Sequence, residues 1–374
     1  MQFGYFNLMP WPHYPEPPQV YPTPNKDYDP VVGQKLYHDY VDLLVYAENC
    51  GFDWVACNEH HFSPYGLMPN CNLIGSILTR ETKNIRLAMV GNLLPLSNPI
   101  RVAEEYAMLD VMSGGRLIAG FMRGVPHEYI AYNSPPGESR ARQKEAAELI
   151  IKCWTEPEPF GWEGEFYQFK SVSIWPRPIQ RPHPMVLMSA SNEESAVFAA
   201  KNRAVMAMGL IADMKLARAN VDIYTETARL GGWEPTPAHI MMGASTCICE
   251  TDEEAHEVFA SALDYFHGTL MKPTLDALKL VLQAGYFNKQ KAGASYDSRL
   301  DKVTAKKTIQ EMIDSGSIFC GSPKSVVEQI RRFHAELGCG GINLSMQIGN
   351  LPIPVVRRGM ELFRDQVLPQ VRHL

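Results

Sequence analysis

Short runs of almost continuously apolar residues recur along the chain and divide it into regular units. Strands of a parallel sheet that is buried on both faces have this pattern, whereas half-exposed strands alternate apolar and polar positions. The runs predict eight strands, at Phe3–Leu8, Trp54–Asn58, Ile85–Leu93, Arg116–Phe121, Met185–Ser189, Ala204–Met208, Ile240–Cys249 and Ile342–Met346.

Amphipathic segments with helical spacing lie between these runs. The first has Gly51 as a stop signal and an apolar face of Leu36, Tyr40, Leu43, Leu44 and Ala47. Two later segments begin at Asn98–Pro99 and Ser322–Pro323, where a capping residue precedes a proline at the first helical position. Strands and helices that alternate in this way predict an α/β fold, a (β/α)8 TIM barrel with insertions. The alternative is an open Rossmann-like sheet, but no GxGxxG motif follows any of the runs.

No linker or change in composition interrupts the chain, so we predict a single domain over residues 1–374. Three segments of this domain are longer than a minimal barrel needs. A proline-rich loop at residues 9–30 follows the first strand and is expected to cover the carboxyl-terminal mouth of the barrel, where active sites are built. Aromatic and β-forming residues at 162–178 predict a hairpin that either seals the barrel edge or serves function. A polar connection around 265–320 is a candidate lid, with disorder as the alternative.

Composition narrows the class of protein further. The chain has 374 residues, of which 45% are hydrophobic and 20% charged, so it can bury a large core. Its formal net charge is −6 without blocks of one sign, which argues against nucleic-acid and anionic-membrane partners and favours a small-molecule ligand. The eight cysteines form no CxxC pair or regular framework, so we expect reduced thiols and a cytoplasmic location. No apolar run is long enough to span a membrane.

Candidate acid–base chemistry follows the second strand, in the sequence Glu59-His60-His61. The carboxyl end of a barrel strand is where catalytic groups stand, and the carboxylate could orient one imidazole as a proton-transfer group. Successive residues point to opposite sides, so His60 and His61 are poorly placed to share a metal. No HxH or HExxH motif supports a metal-dependent hydrolase, and we predict no metal site.

Candidate anion-binding residues follow the fourth and fifth strands. Arginine offers a forked donor for a phosphate, and the amides at a helix start add further donors. Ordinary helix capping is the alternative for the polar residues after the fifth strand. The predicted phosphate-binding set is Arg123, Gly124, Val125, Arg140, Ser189, Ser191, Asn192 and Ser195.

The order of these motifs resembles the bacterial-luciferase-like family of flavin-dependent monooxygenases. The resemblance runs nearly from end to end: QFGYFNL opens the chain, NEHHFSPYG matches the family's EHHF segment, and LLPLSNPIRVAEEYAMLDVMSGGRLIAGFMRG matches its third-to-fourth-strand region. SPKSVVEQI and MELFRDQVLP are also typical of the family, and GYFNKQ resembles the start of its mobile loop. The two long central blocks are highly specific.

The resemblance implies a role for each matching residue. His60 corresponds to the family's catalytic histidine, with Glu59 and His61 as neighbours. Arg123 and Arg140 correspond to the pair that binds the flavin phosphate, and the Ser191–Ser195 segment completes that site. Further implied cofactor contacts are Val90 and Gly91, where the family often has a non-proline cis peptide bond, together with Gly124, Val125 and Ser189.

The implied reaction uses reduced FMN and O2 through a C4a-(hydro)peroxyflavin, with the reduced flavin supplied by a separate NAD(P)H:flavin reductase. The family also implies a homodimer. The alternatives are an F420-dependent hydride-transfer enzyme on the same barrel and a non-catalytic flavin-binding subunit. Met122 stands where luciferase has a reactive cysteine, and residues 9–30 form a longer loop, so neither thiol chemistry there nor a long-chain aldehyde is implied.

Overall fold

The fold is known from a computed structural model, which describes residues 1–14, 17, 20–209, 211, 213–285 and 307–374. Its strands are β1 (Gln2–Asn7), β2 (Trp54–Cys57), β3 (Arg86–Met89), β4 (Leu117–Phe121), β5 (Phe160–Glu163), β6 (Gln168–Val172), β7 (Met185–Ser189), β8 (Val205–Met208), β9 (Ile240–Ile248), β10 (Ile318–Gly321) and β11 (Gly341–Gln347).

Eight of these strands close into a parallel barrel in the order β1, β2, β3, β4, β7, β8, β9 and β11, with β11 pairing back to β1. The predicted (β/α)8 barrel is therefore confirmed, with strand ends that differ by a few residues from the apolar runs. The third run is the largest difference, since it was predicted to continue to Leu93 whereas β3 ends at Met89.

Helices surround the barrel and join successive strands. They are α1 (Pro30–Asn49), α2 (Cys71–Glu81), α3 (Pro99–Ser113), α4 (Glu128–Ala131), α5 (Ser139–Thr155), α6 (Glu193–Lys201), α7 (Met214–Leu230), α8 (Asp252–Tyr265), α9 (Lys272–Gln283), α10 (Ile309–Ser315), α11 (Pro323–Leu337), α12 (Ile353–Leu362) and α13 (Leu368–Val371). Single π-helical turns follow α8 and α12, at Phe266–Leu270 and Phe363–Val367.

The predicted start signals hold at α3 and differ in detail at α11. The Asn98 side chain accepts hydrogen bonds from the amides of Ile100 and Arg101, as an N-cap does. Ser322 precedes α11, but its side chain makes no capping bond. All five residues of the predicted apolar face of α1 are buried, which confirms that face.

The barrel interior is filled by a compact apolar layer, and the larger core lies between the barrel and its helices. The interior layer consists of Trp54, Ala56, Ala88, Ile118, Leu187, Val205 and Met241, with Phe6, Val90 and Met122 packed against it. Side chains alternate along a strand, so residues two positions beyond this layer face the mouth of the barrel.

Of the predicted insertions, the hairpin is confirmed. Strands β5 and β6 pair antiparallel and pack beside α5, where the Glu145 carboxylate accepts hydrogen bonds from Trp162 Nε1 and the amides of Phe166 and Tyr167. The hairpin begins at Phe160, two residues earlier than predicted.

The connection between β9 and β11 contains α8, α9, α10 and the additional strand β10, which was not predicted and which pairs in parallel with the carboxyl half of β9. Residues 286–306, which form the centre of the candidate lid and include most of the GYFNKQ motif, lie outside the described residues.

All eight cysteines are unpaired and buried. Among the helices of the described residues, none combines the length and apolar character needed to cross a bilayer.

Candidate active site

Two histidines stand at the mouth of the barrel, in the loop that joins β2 to α2. The apolar strand ends at Cys57, and the following residues Asn58, Glu59, His60 and His61 begin the loop. The loop is held by the His60 amide, which donates to the carbonyl of Met68 at 3.1 Å. Both imidazoles therefore lie at the barrel end that the sequence predicts.

The carboxylate of Glu128 joins both histidines from a different loop. Glu128 begins α4, shortly after β4 ends, and its side chain is completely buried. One carboxylate oxygen, Oε1, lies 3.0 Å from His60 Nδ1, and the other, Oε2, accepts a 3.0 Å hydrogen bond from the amide of His61. His127 Nε2 also lies 3.4 Å from Oε1.

The hydroxyl of Tyr65 completes this acid–base cluster. It lies 2.7 Å from His60 Nδ1 and 3.1 Å from His127 Nε2, and it also contacts Glu128 Oε1 at 3.5 Å. Burial raises the pKa of Tyr65 well above its ordinary value, and the charge of Glu128 acts in the same direction. Tyr65 is therefore a neutral hydrogen-bonding group at working pH.

Glu128 is the anion of the cluster. Burial by itself would raise its pKa, but hydrogen bonds from His127 and His60 outweigh burial and lower the pKa to about 2. Because an ionised carboxylate only accepts hydrogen bonds, we assign the proton between Glu128 and His60 to Nδ1. Neutral His60 then has an unprotonated Nε2, which has no hydrogen-bond partner in the described part of the protein.

His61 is held differently and is more deeply buried. Its Nε2 lies 3.0 Å from Glu59 Oε1, and its Nδ1 lies 3.4 Å from the hydroxyl of Tyr132. Burial raises the pKa of Glu59, although the hydrogen bond from His61 opposes this. Both ring nitrogens of His61 are engaged, whereas His60 keeps one nitrogen available, so His60 is the better placed of the two to exchange a proton.

The predicted phosphate-binding residues meet around the starts of α5 and α6. Arg123 Nη1 lies 3.4 Å from the hydroxyl of Ser139, the first residue of α5. The next residue, Arg140, contacts Glu194 in the first turn of α6, with 3.1 Å between Arg140 Nε and Glu194 Oε2. The two arginines and the start of α6 thus belong to three different chain segments, which lie together on one side of the barrel mouth.

The polar residues before α6 cap that helix. Asn192 and Ser195 form a reciprocal capping box, in which each side chain accepts a hydrogen bond from the other residue's amide, at 3.2 and 3.1 Å. The capping alternative, which named Ser191 or Asn192, is therefore correct for Asn192. Ser189 ends β7 and is half-buried, and Ser191 is exposed.

The other predicted cofactor contacts are distributed along β3 and the segment after β4. Val90 packs against the interior layer, whereas Val125 is exposed. Gly124 has a left-handed φ of +86°, which favours glycine. Gly91 is packed so closely that an added Cβ would lie 2.7 Å from the carbonyl carbon of Asn58.

The peptide bond between Val90 and Gly91 is not cis, although the family often has a non-proline cis bond at the matching site. The cis peptide bonds of the described residues are Tyr21–Pro22, Trp175–Pro176 and Arg181–Pro182. The Val90 amide donates instead to the carbonyl of Cys57 at 2.8 Å, which binds the end of β3 to β2.

The mouth also contains buried polar atoms without protein partners, which the sequence analysis missed. They are both amide atoms of Asn58, the hydroxyl of Ser345 and Oε1 of Gln347. Asn58 lies two positions beyond Ala56, and Ser345 pairs with Phe6 in the neighbouring strand. Because alternate side chains of a strand point to the same side, Asn58 and Ser345 belong to the interior wall of the barrel. Buried polar groups are normally hydrogen-bonded, so this wall is suited to a ligand with a polar edge.

Within the described ranges, no group of three or more histidine, cysteine, aspartate or glutamate side chains is arranged to hold a metal ion. The structure is thus a TIM barrel that has a cluster of His60, His127, Glu128 and Tyr65 at its mouth, with Arg123 and Arg140 near the starts of α5 and α6. A family model described as luciferase-like monooxygenase matches residues 1–339. The chain therefore belongs to the luciferase-like monooxygenase family.

Curated relatives include monooxygenases with different named substrates. The chain is 30% identical to the oxygenase component of a flavin-dependent trigonelline monooxygenase of Acinetobacter baylyi, over 45% of this chain and 47% of that protein. It is 22% identical to the alkanal monooxygenase alpha chain of Photobacterium leiognathi, over 91% and 94% of the two chains. An uncharacterized protein y4wF of Sinorhizobium fredii matches at 36% identity over 47% of this chain. The chain thus spans about half the length of the Acinetobacter and Sinorhizobium proteins, at 47% and 52%.

Solved structures share the fold over the whole chain. Monooxygenase RslO1 from Streptomyces bottropensis has a TM-score of 0.76 at 26% identity, covering 99% of both chains. The FMN-bound oxygenating constituent of 3,6-diketocamphane monooxygenase from Pseudomonas putida has a TM-score of 0.76 at 18% identity, covering 99% of this chain and 98% of the other. An F420-dependent secondary alcohol dehydrogenase gives 0.68 at 17% identity, with 99% of each chain covered. The last two likenesses concern the fold alone.

Proposed function

We propose that this protein is the oxygenase of a two-component, flavin-dependent monooxygenase, which uses reduced FMN and O2 to oxygenate a small organic substrate. The observation that carries the proposal is the pairing of His60 with the buried, ionised Glu128, which leaves His60 Nε2 available at the barrel mouth. The family to which the chain belongs and its similarity to monooxygenases support the same conclusion.

The fit of the mouth residues to FMN rests on their buried polar atoms. The amide of Asn58 and the Ser345 and Gln347 atoms, which have no partner among the described residues, offer donors and acceptors for the polar edge of an isoalloxazine ring. Arg123, Arg140 and the α6 terminus would hold the phosphate.

When bound, reduced FMN supplies two electrons to O2, so that one oxygen atom enters the substrate and the other leaves as water. The chain itself contributes proton control and a site shielded from bulk solvent. His60 accepts or returns a proton at Nε2, while Glu128 fixes the opposite nitrogen as a donor and stabilises the imidazolium. Tyr65 and His127 both contact the Glu128 carboxylate and help to hold it in place.

A transient-kinetic experiment tests the proposal. Protein loaded with photoreduced FMN is mixed with O2 and followed by stopped-flow absorbance. We expect a transient band distinct from both oxidised and reduced FMN, and slower reoxidation than free flavin shows. Reoxidation identical to that of free FMN would contradict the oxygenase. Reduction of bound F420 by an alcohol without O2 would favour the hydride-transfer alternative, and flavin binding without turnover would favour a non-catalytic subunit.

Arg123→Ala tests the phosphate site. Loss of a charge-assisted hydrogen bond is expected to raise the Kd for FMN about 10- to 100-fold. The measurement is a titration of flavin fluorescence. Riboflavin, which lacks the phosphate, should bind wild type and variant equally, and Arg142→Ala, which removes an arginine of helix α5, should leave the FMN Kd unchanged. An equal loss for riboflavin would show that Arg123 supports the fold of the site rather than the phosphate.

We further propose that a separate NAD(P)H:flavin reductase supplies the reduced FMN and that the protein acts in the cytoplasm. The similarity to a protein named as an oxygenase component supports the separate reductase. In a coupled assay, adding a flavin reductase and NADH should be necessary and sufficient for turnover with FMN. Turnover with NADH and FMN alone would contradict a two-component system.

We also propose a homodimer, since neighbouring helices α2 and α3 present an exposed apolar face. Its residues are Leu73, Ile77, Met108, Val111 and Met112. A charge there would remain unpaired in a dimer interface, so Met112→Glu should shift the mass measured by light scattering from dimer to monomer. Leu216→Glu, which alters an exposed apolar residue on α7, outside this face, should leave the dimer intact. A monomeric wild type would contradict the proposal.

A further inference from the structure

A second cavity, of about 390 Å³, lies outside the acid–base cluster. It separates the proline-rich loop from the loop between β2 and α2, and we call it the loop cavity. Neither His60 nor Glu128, and none of the predicted flavin-binding residues, lines it. Its wall includes Trp11, Tyr14, Thr23, Tyr28 and Phe62.

Backbone hydrogen bonds fix the two loops to each other around this cavity. The Trp11 amide donates to Pro64 O at 2.8 Å, and the Thr23 amide donates to Phe62 O at 2.9 Å. A third bond, of 2.7 Å, runs from the Leu67 amide to Met9 O. The cavity is therefore part of the folded loop structure rather than a gap between independent surface segments.

Aromatic rings dominate the wall. The rings of Trp11 and Tyr28 pack with centroids 4.8 Å apart. The Phe62 side chain is 52% exposed, and its backbone has a left-handed φ of +55°, which is uncommon for an aromatic residue. Such a conformation persists where the surrounding structure requires it, and a ring bound in the cavity would cover the exposed face of Phe62.

The wall contains two buried polar side-chain atoms, one on Trp11 and one on Thr23. Trp11 is 3% exposed, and among the described residues its indole Nε1 has no hydrogen-bond partner. The hydroxyl of Thr23 is also buried and lacks a partner in the same part of the chain. None of the lining residues that the structure describes carries a charge. An unpaired buried donor is unfavourable, so a neutral ligand that offers an acceptor would gain by meeting it.

We propose that the loop cavity is a binding site for a neutral, planar aromatic compound that carries a carbonyl oxygen. The ring contacts the aromatic wall, and the carbonyl accepts a hydrogen bond from Trp11 Nε1. The volume is within the range of small-molecule pockets and suits a compound of one or two rings. The site does not depend on the proposed oxygenase reaction, because it shares no lining residue with the flavin contacts.

Saturation-transfer NMR on the full-length, flavin-free protein tests this with two probes. 2-Acetonaphthone has a ring and a carbonyl, and naphthalene has the ring alone. We expect both to bind wild type. Trp11→Phe, which removes the N–H and keeps an aromatic ring, should weaken 2-acetonaphthone about 2- to 10-fold and leave naphthalene unchanged. Trp175→Phe is the matched control, since Trp175 is 86% exposed and does not line the cavity, and neither affinity should change.

A second variant keeps the proposal testable if Trp11→Phe does not fold. Phe62→Ala removes a half-exposed ring and should weaken both probes to a similar extent. Failure of both probes to bind wild type would overturn the proposal, as would equal weakening of both probes by Trp11→Phe. Saturating FMN should leave both Kd values unchanged, and competition by FMN would overturn the separation of the two sites. None of these outcomes depends on oxygenase activity.

Discussion

Replacing His60 by alanine is expected to lower the rate of product formation by about 10²- to 10⁴-fold, the range typical of a lost general acid–base group. The flavin Kd should stay close to that of wild type, because His60 is bound to Glu128 and Tyr65 and not to the arginines of the phosphate site. The measurement combines product yield per reduced FMN with a fluorescence titration. Imidazole added to the buffer should restore part of the activity.

His61→Ala is the matched comparison for this experiment. Both ring nitrogens of His61 are already engaged, by Glu59 and Tyr132, so its loss should disturb loop position more than proton transfer. We therefore expect a smaller fall in rate and no rescue by imidazole. If His61→Ala abolished turnover while His60→Ala kept it, the roles assigned to the two histidines would have to be exchanged.

Glu128→Gln is expected to lower the rate of product formation about 100-fold or more while retaining the fold. The glutamine keeps the shape of the side chain but loses the charge that stabilises the His60 imidazolium. Its amide can also donate towards Nδ1, which would move the imidazole proton to Nε2 and remove the base from the mouth. Single-turnover rates measure the effect, and the 15N chemical shifts of the His60 ring report its tautomer.

Glu59→Gln is the control for Glu128→Gln. Glu59 contacts His61, and its charge therefore has less influence on the protonation of His60 than the charge of Glu128. It should leave the His60 tautomer unchanged. An unchanged tautomer in Glu128→Gln, or equal losses of rate in the two variants, would contradict the role of Glu128 as the residue that positions His60.

Glu128 also makes stability depend on pH in a defined direction. Its pKa in the folded protein, about 2, lies below the ordinary value of 4.5. The ionised form is therefore favoured by folding, and this stabilisation is present above about pH 4.5 and is lost as the pH falls towards 2. Guanidinium unfolding between pH 7 and pH 3 should show a smaller loss of stability for Glu128→Gln than for wild type.

The barrel could be predicted because each of its eight buried strands corresponds to an apolar run in the sequence. The segments between these runs are long enough to form helices. Strand β10 was missed because its four residues, Ile318–Gly321, are short and follow a polar stretch. A run of that length is equally compatible with a buried turn of helix, and only its pairing with β9 distinguishes the two.

The site was only partly predictable for a related reason. Glu59, His60 and His61 directly follow a recognisable strand, so fold topology alone places them at the mouth. Glu128 and His127 follow Arg123 closely, and this position after β4 was the available signal. The contact of Glu128 with His60 depends on how two loops bend towards each other at the barrel mouth, which no periodic pattern encodes. The unpartnered atoms of Asn58 and Gln347 likewise could not be predicted, because they are recognised only from the three-dimensional contacts of the barrel wall.

The pairing of β9 with three different strands, β8, β10 and β11, has a consequence for engineering. Its amino half bonds to β8, at Met206–Met208, and its carboxyl half bonds to β10 through four residue pairs. In the sequence, the segment from Lys272 to Ser315 lies between α8, which follows β9, and β10, which pairs with β9 at a fixed register. Chimeras that exchange this segment with a relative, cut at the two anchored ends, would transplant it as a cassette while keeping the eight-strand scaffold in place.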